Sequence, residues 1–173
     1  MINLKTFTSA FAVAAALFGA GLAPVAVQAE PLRIVLGSPV IEPMPFALPT
    51  FGDEGGAGGM AADISAVIIA DLQRTRLFER IPDSAYIQNL PSFDAAVSYP
   101  DWQAINAQAL VTGAVQAGGG QVAVKFCLHD VFANSLLDEC MQFAGDAGSW
   151  RRVAHKVADA VYSRITGETG YFD

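Results

Sequence analysis

The spacing of apolar residues changes period several times along the chain, and each change predicts an element. Ile64, Val67, Ile68 and Leu72 recur at helical spacing, so a helix with one core-facing stripe is expected over 61–72. Asp63 at its start and Arg74 and Arg76 at its end complement the helix dipole. Trp150, Val153, Val157, Val161 and Ile165 predict a second long helix, with Ser149 as N-cap and Gly167 just past its end. Between the helices the period drops to two. Val122, Val124, Phe126 and Leu128 alternate, which predicts a strand over 121–131 with one buried face. Leu110–Val115 reads as a strand before it, joined through a turn at Gly118-Gly119-Gly120, and Leu136–Phe143 returns as its hairpin partner. Residues 32–36, Leu-Arg-Ile-Val-Leu, are a further β-prone run closed by Gly37. Strand, helix, three strands, helix gives an α/β (α+β) domain: a small mixed sheet packed by two long helices.

Prolines and glycines punctuate this pattern. Pro39, Pro43, Pro45 and Pro49 predict an extended or edge segment over 39–49 rather than a helix or a central strand. Residues 52–59 (GDEGGAGG) read as a flexible loop. Pro82 stops the short Leu77–Ile81 run, 83–99 looks irregular, and Pro100-Asp101-Trp102 opens a short helix to about Gln108.

The first 29 residues stand apart. Lys5, an apolar run from Phe11 to Ala23, and Val27-Gln28-Ala29 before Glu30 have the form of a cleaved export signal. Gly19, Gly21 and Pro24 interrupt a run already short of the ~20 residues that a membrane span needs. No integral span is expected once the signal is gone, and disulfides would persist in the compartment reached. The four segments are thus a signal peptide over 1–29, an N-terminal strand and Pro-rich partner-binding segment over 30–51, the α/β domain over 52–169, and an exit over 170–173. With 53% hydrophobic residues, disorder by composition is excluded. A net charge of −7 and a pI near 4.6 leave no basic footprint for nucleic acid.

Candidate chemistry is sparse. The glycine loop before the first helix lacks the Lys-Ser/Thr of a phosphate loop, and Asp53 and Glu54 would repel an anion. His129 and His155 are the only imidazoles, and no motif supplies either with a nucleophile. Asp138 and Glu139 would point to opposite faces of a strand. Arg151, Arg152 and Lys156 cluster on the last helix, as a dock for an acidic partner or as a solvated face. No catalytic residue, metal ligand or cofactor is assigned. The β-prone residues Glu30 to Leu36, at the expected mature N-terminus, would pair with their own sheet or donate a strand to a partner.

Four blocks resemble one known family: AADISAVIIADLQRTRLF at 61–78, DWQAINAQALVTG at 101–113, DVF at 130–132 and WRRVAHKVADAVYSRITGETGYFD at 150–173. They are similar to the N-terminal domain of TolB, the periplasmic component of the Tol–Pal system. The resemblance implies a non-enzymatic periplasmic interaction module that supports outer-membrane integrity and invagination during division. It also implies that Glu30, Pro31, Leu32, Arg33, Ile34, Val35 and Leu36 contact the C-terminal domain of TolA. The family's second half is a β-propeller that binds Pal. This chain stops at Asp173, where the propeller would begin, so Pal is expected as a partner only if a propeller is present. Two positions depart from the family pattern: Arg76 and Asn106 stand where glycine is usual, leaving the expected left-handed cap at Arg76 unsupported. The alternatives are an accessory domain of envelope secretion or penicillin-binding-protein regulation with a similar fold, and a small periplasmic hydrolase.

A hairpin closed by Val131–Leu136 would set Phe126 opposite Met141, Val124 opposite Phe143, His129 opposite Asp138 and Cys127 opposite Cys140. The two cysteines are then either a disulfide or two small buried hydrophobes, and spacing alone does not choose.

Overall fold

The computed structural model describes residues 42–172. The export signal and the β-prone segment 30–36 lie outside the described residues. The elements run β1 (Met44–Ala47), β2 (Gly52–Asp53), α1 (Met60–Arg74), β3 (Phe78–Arg80), α2 (Tyr99–Ala104), β4 (Ala109–Gly118), β5 (Gln121–Asp130), β6 (Ser135–Leu136), β7 (Met141–Asp146) and α3 (Trp150–Thr166). They form one mixed sheet ordered β3-β1-β4-β5-β6, with β2 paired to β4 and β7 paired to β5.

One face of the sheet carries α1 and α3. Ile64, Ile68 and Leu72 from α1 and Val153, Val157, Val161 and Ile165 from α3 meet Val111, Val115, Val122, Val124 and Phe126 in the main core. The period-two residues of β5 therefore face the period-3.6 residues of both helices, as patterning requires. The second face is covered at one end by the segment running through α2. There Trp102, fully buried, packs with Ala47, Leu110 and Val131.

The Pro-rich segment departs from expectation. β1 lies inside the sheet, parallel to β3 on one side and β4 on the other. Pro45 is tolerated because pairing to β4 begins only at Phe46, where Pro45 itself need not donate. Its carbonyl accepts from the Gln108 N–H at 2.9 Å. Phe46, Leu48 and Phe51 are buried, so a boundary at residue 52 falls too late: the core already holds Met44.

The β4–β5 turn is a two-residue left-handed pair, Gly119 (φ 59°) and Gly120 (φ 80°). Gly113 is required for another reason. A Cβ there would lie 2.6 Å from the Phe51 ring, which packs directly over this backbone.

The left-handed exit of α1 is present although its residue is Arg76 (φ 60°), and Asn106 (φ 60°) likewise ends α2. The chain adopts the turn that glycine would favour and carries the steric cost. Arg76→Gly is therefore expected to raise stability by about 0.5–1 kcal/mol in urea denaturation. No gain would show that the Arg76 side chain offsets its own backbone. Ser149 occupies the N-cap position of α3, but its side chain makes no capping bond; Gly167 (φ 78°) closes the helix as expected.

Candidate interaction surfaces

Asp53, Glu54, His129, Asp138 and His155 are each held by a structural partner. Asp53, at the end of β2, accepts backbone N–H bonds from Gly55 (2.8 Å), Ala57 (3.1 Å) and Gly58 (2.8 Å). These bonds hold its carboxyl below the usual carboxylate range. The amide nest that might have cradled a phosphate is thus filled by the chain's own anion. The loop is built rather than loose. Ala117 N–H donates to Gly55 carbonyl at 2.9 Å, and a Cβ on Gly56 would sit 2.2 Å from the Ala117 oxygen. Glu54 pairs with Lys125 at 2.9 Å, and the same ammonium lies over the Phe93 ring.

His129 does not meet Asp138. The β5–β7 register matches expectation, with Phe126 opposite Met141 and Val124 opposite Phe143. Nearer the turn it shifts by two residues: His129 lies opposite Leu136, and Asp130 opposite Ser135. Residues 137–140 loop out between β6 and β7, which frees Asp138 to pair with Arg164 of α3. A β-bulge of this kind leaves the apolar face in phase on both sides because the shift is even. The His129 ring instead sits buried on the second face, with Nδ1 3.1 Å from the Tyr99 hydroxyl and Nε2 3.1 Å from Thr112 Oγ1. Burial pushes its pKa down to about 4. Cys127 and Cys140 are joined as a disulfide with Cα atoms 4.3 Å apart.

His155 has a partner that helix periodicity did not reveal. Its Nδ1 lies 2.5 Å from Asp71 Oδ2, and Arg74 donates to the other oxygen at 2.9 Å. The Asp71 side chain is 1% exposed. This pair ties α3 to α1. A signal existed: Asp71 stands in the buried stripe of α1, three residues after Ile68, where an acid needs a partner. Among the described residues no three His, Cys, Asp or Glu side chains gather as metal ligands.

Among the described residues the surface offers open recesses. A shallow groove of about 510 Å³ runs between Phe143 of β7 and Lys156, Asp159 and Ser163 of α3. Its far wall is the chain after α3. Asp159 accepts the Phe172 N–H at 2.8 Å, and Tyr162 stacks edge-on against Tyr171 and Phe172. Gly170 allows this, since a Cβ there would lie 2.2 Å from Asp159 Oδ1. Of the basic cluster, Arg151 and Arg152 are exposed and Arg151 packs on the Trp150 ring at 4.2 Å. Among the described residues no helix is long and apolar enough to cross a membrane.

Comparison with known proteins places the chain. Residues 32–137 match the family described as the TolB amino-terminal domain. The chain is 56% identical over 177 aligned residues to the Tol-Pal system protein TolB of Jannaschia sp. (strain CCS1), covering 100% of this chain and 39% of that one. Among solved structures, TolB from Acinetobacter baumannii matches with a TM-score of 0.57 at 24% identity, over 74% of this chain and 29% of that one. The LpoB C-terminal domain from Salmonella enterica matches with a TM-score of 0.50 at 10% identity, over 62% and 86%. The last two similarities speak to fold alone. The chain spans about two-fifths of the length of the curated relatives it matches.

Proposed function

The chain belongs to the family of TolB amino-terminal domains, and on that premise we propose that it is a non-enzymatic interaction module of the Tol–Pal system in the periplasm. In this reading residues 1–29 are removed and Glu30 to Leu36 bind the C-terminal domain of TolA, in support of outer-membrane integrity and division. The observation that carries it is where the family match begins. It starts at Leu32, so the β-prone run 32–36 belongs to the common pattern. Strand addition suits such a run, because a row of backbone hydrogen bonds supplies affinity while alternate side chains supply selectivity. Pal is proposed as a further partner only if a propeller is present.

Deletion of 30–36 is expected to abolish binding to the TolA C-terminal domain while the thermal unfolding transition stays in place. Ile34→Pro should behave the same way, since proline removes one donor and restricts its neighbour. Titration calorimetry on protein recovered from the periplasm, with intact mass to confirm cleavage before Glu30, checks both. Normal binding by the deletion variant would remove this segment from the interface.

A further inference from the structure

We propose that the groove between α1 and β3 binds an extended acidic peptide of a partner, which adds as a strand to the open edge of β3 and sets a carboxylate on Arg80. β3 is the last strand on its side of the sheet and pairs only with β1. Met44 N–H donates to the Leu77 carbonyl, and Ile81 N–H donates to the Phe46 carbonyl. Leu77, Glu79 and Ile81 therefore turn their backbone polar groups towards β1. The direction alternates along a strand, so the N–H and C=O of Phe78 and Arg80 point outward. Among the described residues no strand covers them. Such an edge is a template for another chain.

A helix beside the edge makes it a groove. Ala62, Ala66, Ala70 and Gln73 of α1 line a recess of about 280 Å³, with Thr50 and Arg80 across from them. These helix positions span three turns, about 16 Å along the axis. An extended segment of about five residues matches that length. The three alanines are exposed and short, so a second backbone can approach closely. At the opposite edge of the sheet, the groove between β7 and α3 is already walled by the chain's own residues 167–170. The β3 groove is lined by α1, Thr50 and Arg80 alone. Thr50 also lines a second recess, with Asp83, Ile87 and Leu90, where Ile87 is 59% exposed. An apolar side chain of the same peptide would settle there.

Charge selects an acidic peptide. Arg80 Nη2 donates to Asp83 at 2.6 Å, while the Arg80 Nε–H is closed off from solvent without an acceptor. Asp83 is itself exposed, so this pair holds the guanidinium only weakly. No carboxylate lines the recess. Glu79 turns to the other face of the strand, and Asp83 lies past its end. A carboxylate on the peptide would take Nε and one Nη together, in two parallel hydrogen bonds. Main-chain bonds to Phe78 and Arg80 would supply the rest of the affinity, and the acid would fix the register.

Selection of random short peptides displayed on phage, against the full chain, tests this. Enriched peptides should carry an acid between β-branched residues, and their titration should shift the Phe78 and Arg80 amide resonances. Arg80→Gln should weaken binding about 10-fold or more. Ala66→Glu sits at an exposed helix position that favours glutamate, so the thermal transition should stay in place while binding is lost. Methylating the peptide nitrogens that face β3 should abolish binding, and methylating the alternate ones should not. No enrichment, enriched peptides without an acid, or equal binding by Arg80→Gln or Ala66→Glu would overturn the proposal. Binding only after deletion of 30–36 would give the groove to that segment. Self-association of the chain that is lost in Ala66→Glu would give it to a second copy. Either result overturns the assignment to a partner's peptide.

Discussion

Replacing Cys127 and Cys140 together by alanine is expected to lower the unfolding free energy by about 3 kcal/mol. The bond links residues 13 apart in sequence, and a closed loop of that size removes about this much chain entropy from the unfolded state. Its position adds a second reason. The loop that it closes holds the bulge at 137–140, where the register shifts by two between β6 and β7. Without the link, β7 is an edge strand held by one neighbour, β5, and by its packing on α3. Alanine is the better substitute, because Cys127 is buried and serine would bring an unpaired hydroxyl there. Urea denaturation of the oxidised protein and the double variant measures the difference. A loss below about 1 kcal/mol would show that bulge and edge are held by packing and by the Asp138–Arg164 pair instead.

Trp102→Ala should cost about 4 kcal/mol, in the range for deleting a fully buried aromatic ring. The ring is the largest fully buried side chain and the centre of the second cluster. Tyr86 packs edge-on against it at 5.0 Å, and Gln88 accepts its indole N–H. Its removal leaves a cavity between α2 and the sheet and strips Gln88 of a donor. Trp102→Phe should lose clearly less, since most of the packing survives. Equal losses for the two variants would mean that the indole hydrogen bond, not the ring volume, secures the layer.

The importance of Trp102 was only half legible. Pro100-Asp101-Trp102 announces a helix start, but a six-residue helix has too few turns for a periodic stripe to mark its buried side. The helix also ends before Gln108, because Asn106 takes a left-handed conformation. The glycine-rich loop is hard to read for a different reason. Composition suggested looseness, while the organising atoms are the two oxygens of Asp53, whose three backbone partners all lie within five residues. The signal for the turn lies in the aspartate rather than in the glycines.

By itself the sequence determined the buried faces of α1, α3 and β5, the Gly119-Gly120 turn and the distal hairpin register. All of these follow from local periodicity and from backbone conformations open to few residues. Tertiary structure alone decided that β1 sits between β3 and β4 despite its prolines, since that depends on where Ala109 begins to pair. It alone moved His129 away from Asp138, by placing Arg164 within reach of the carboxylate and two hydroxyls around the ring. It alone joined Asp71 to His155 across 84 residues. Periodicity shows that a side chain is turned inward; which partner waits there is set by how distant elements pack, and neighbouring residues carry no record of it.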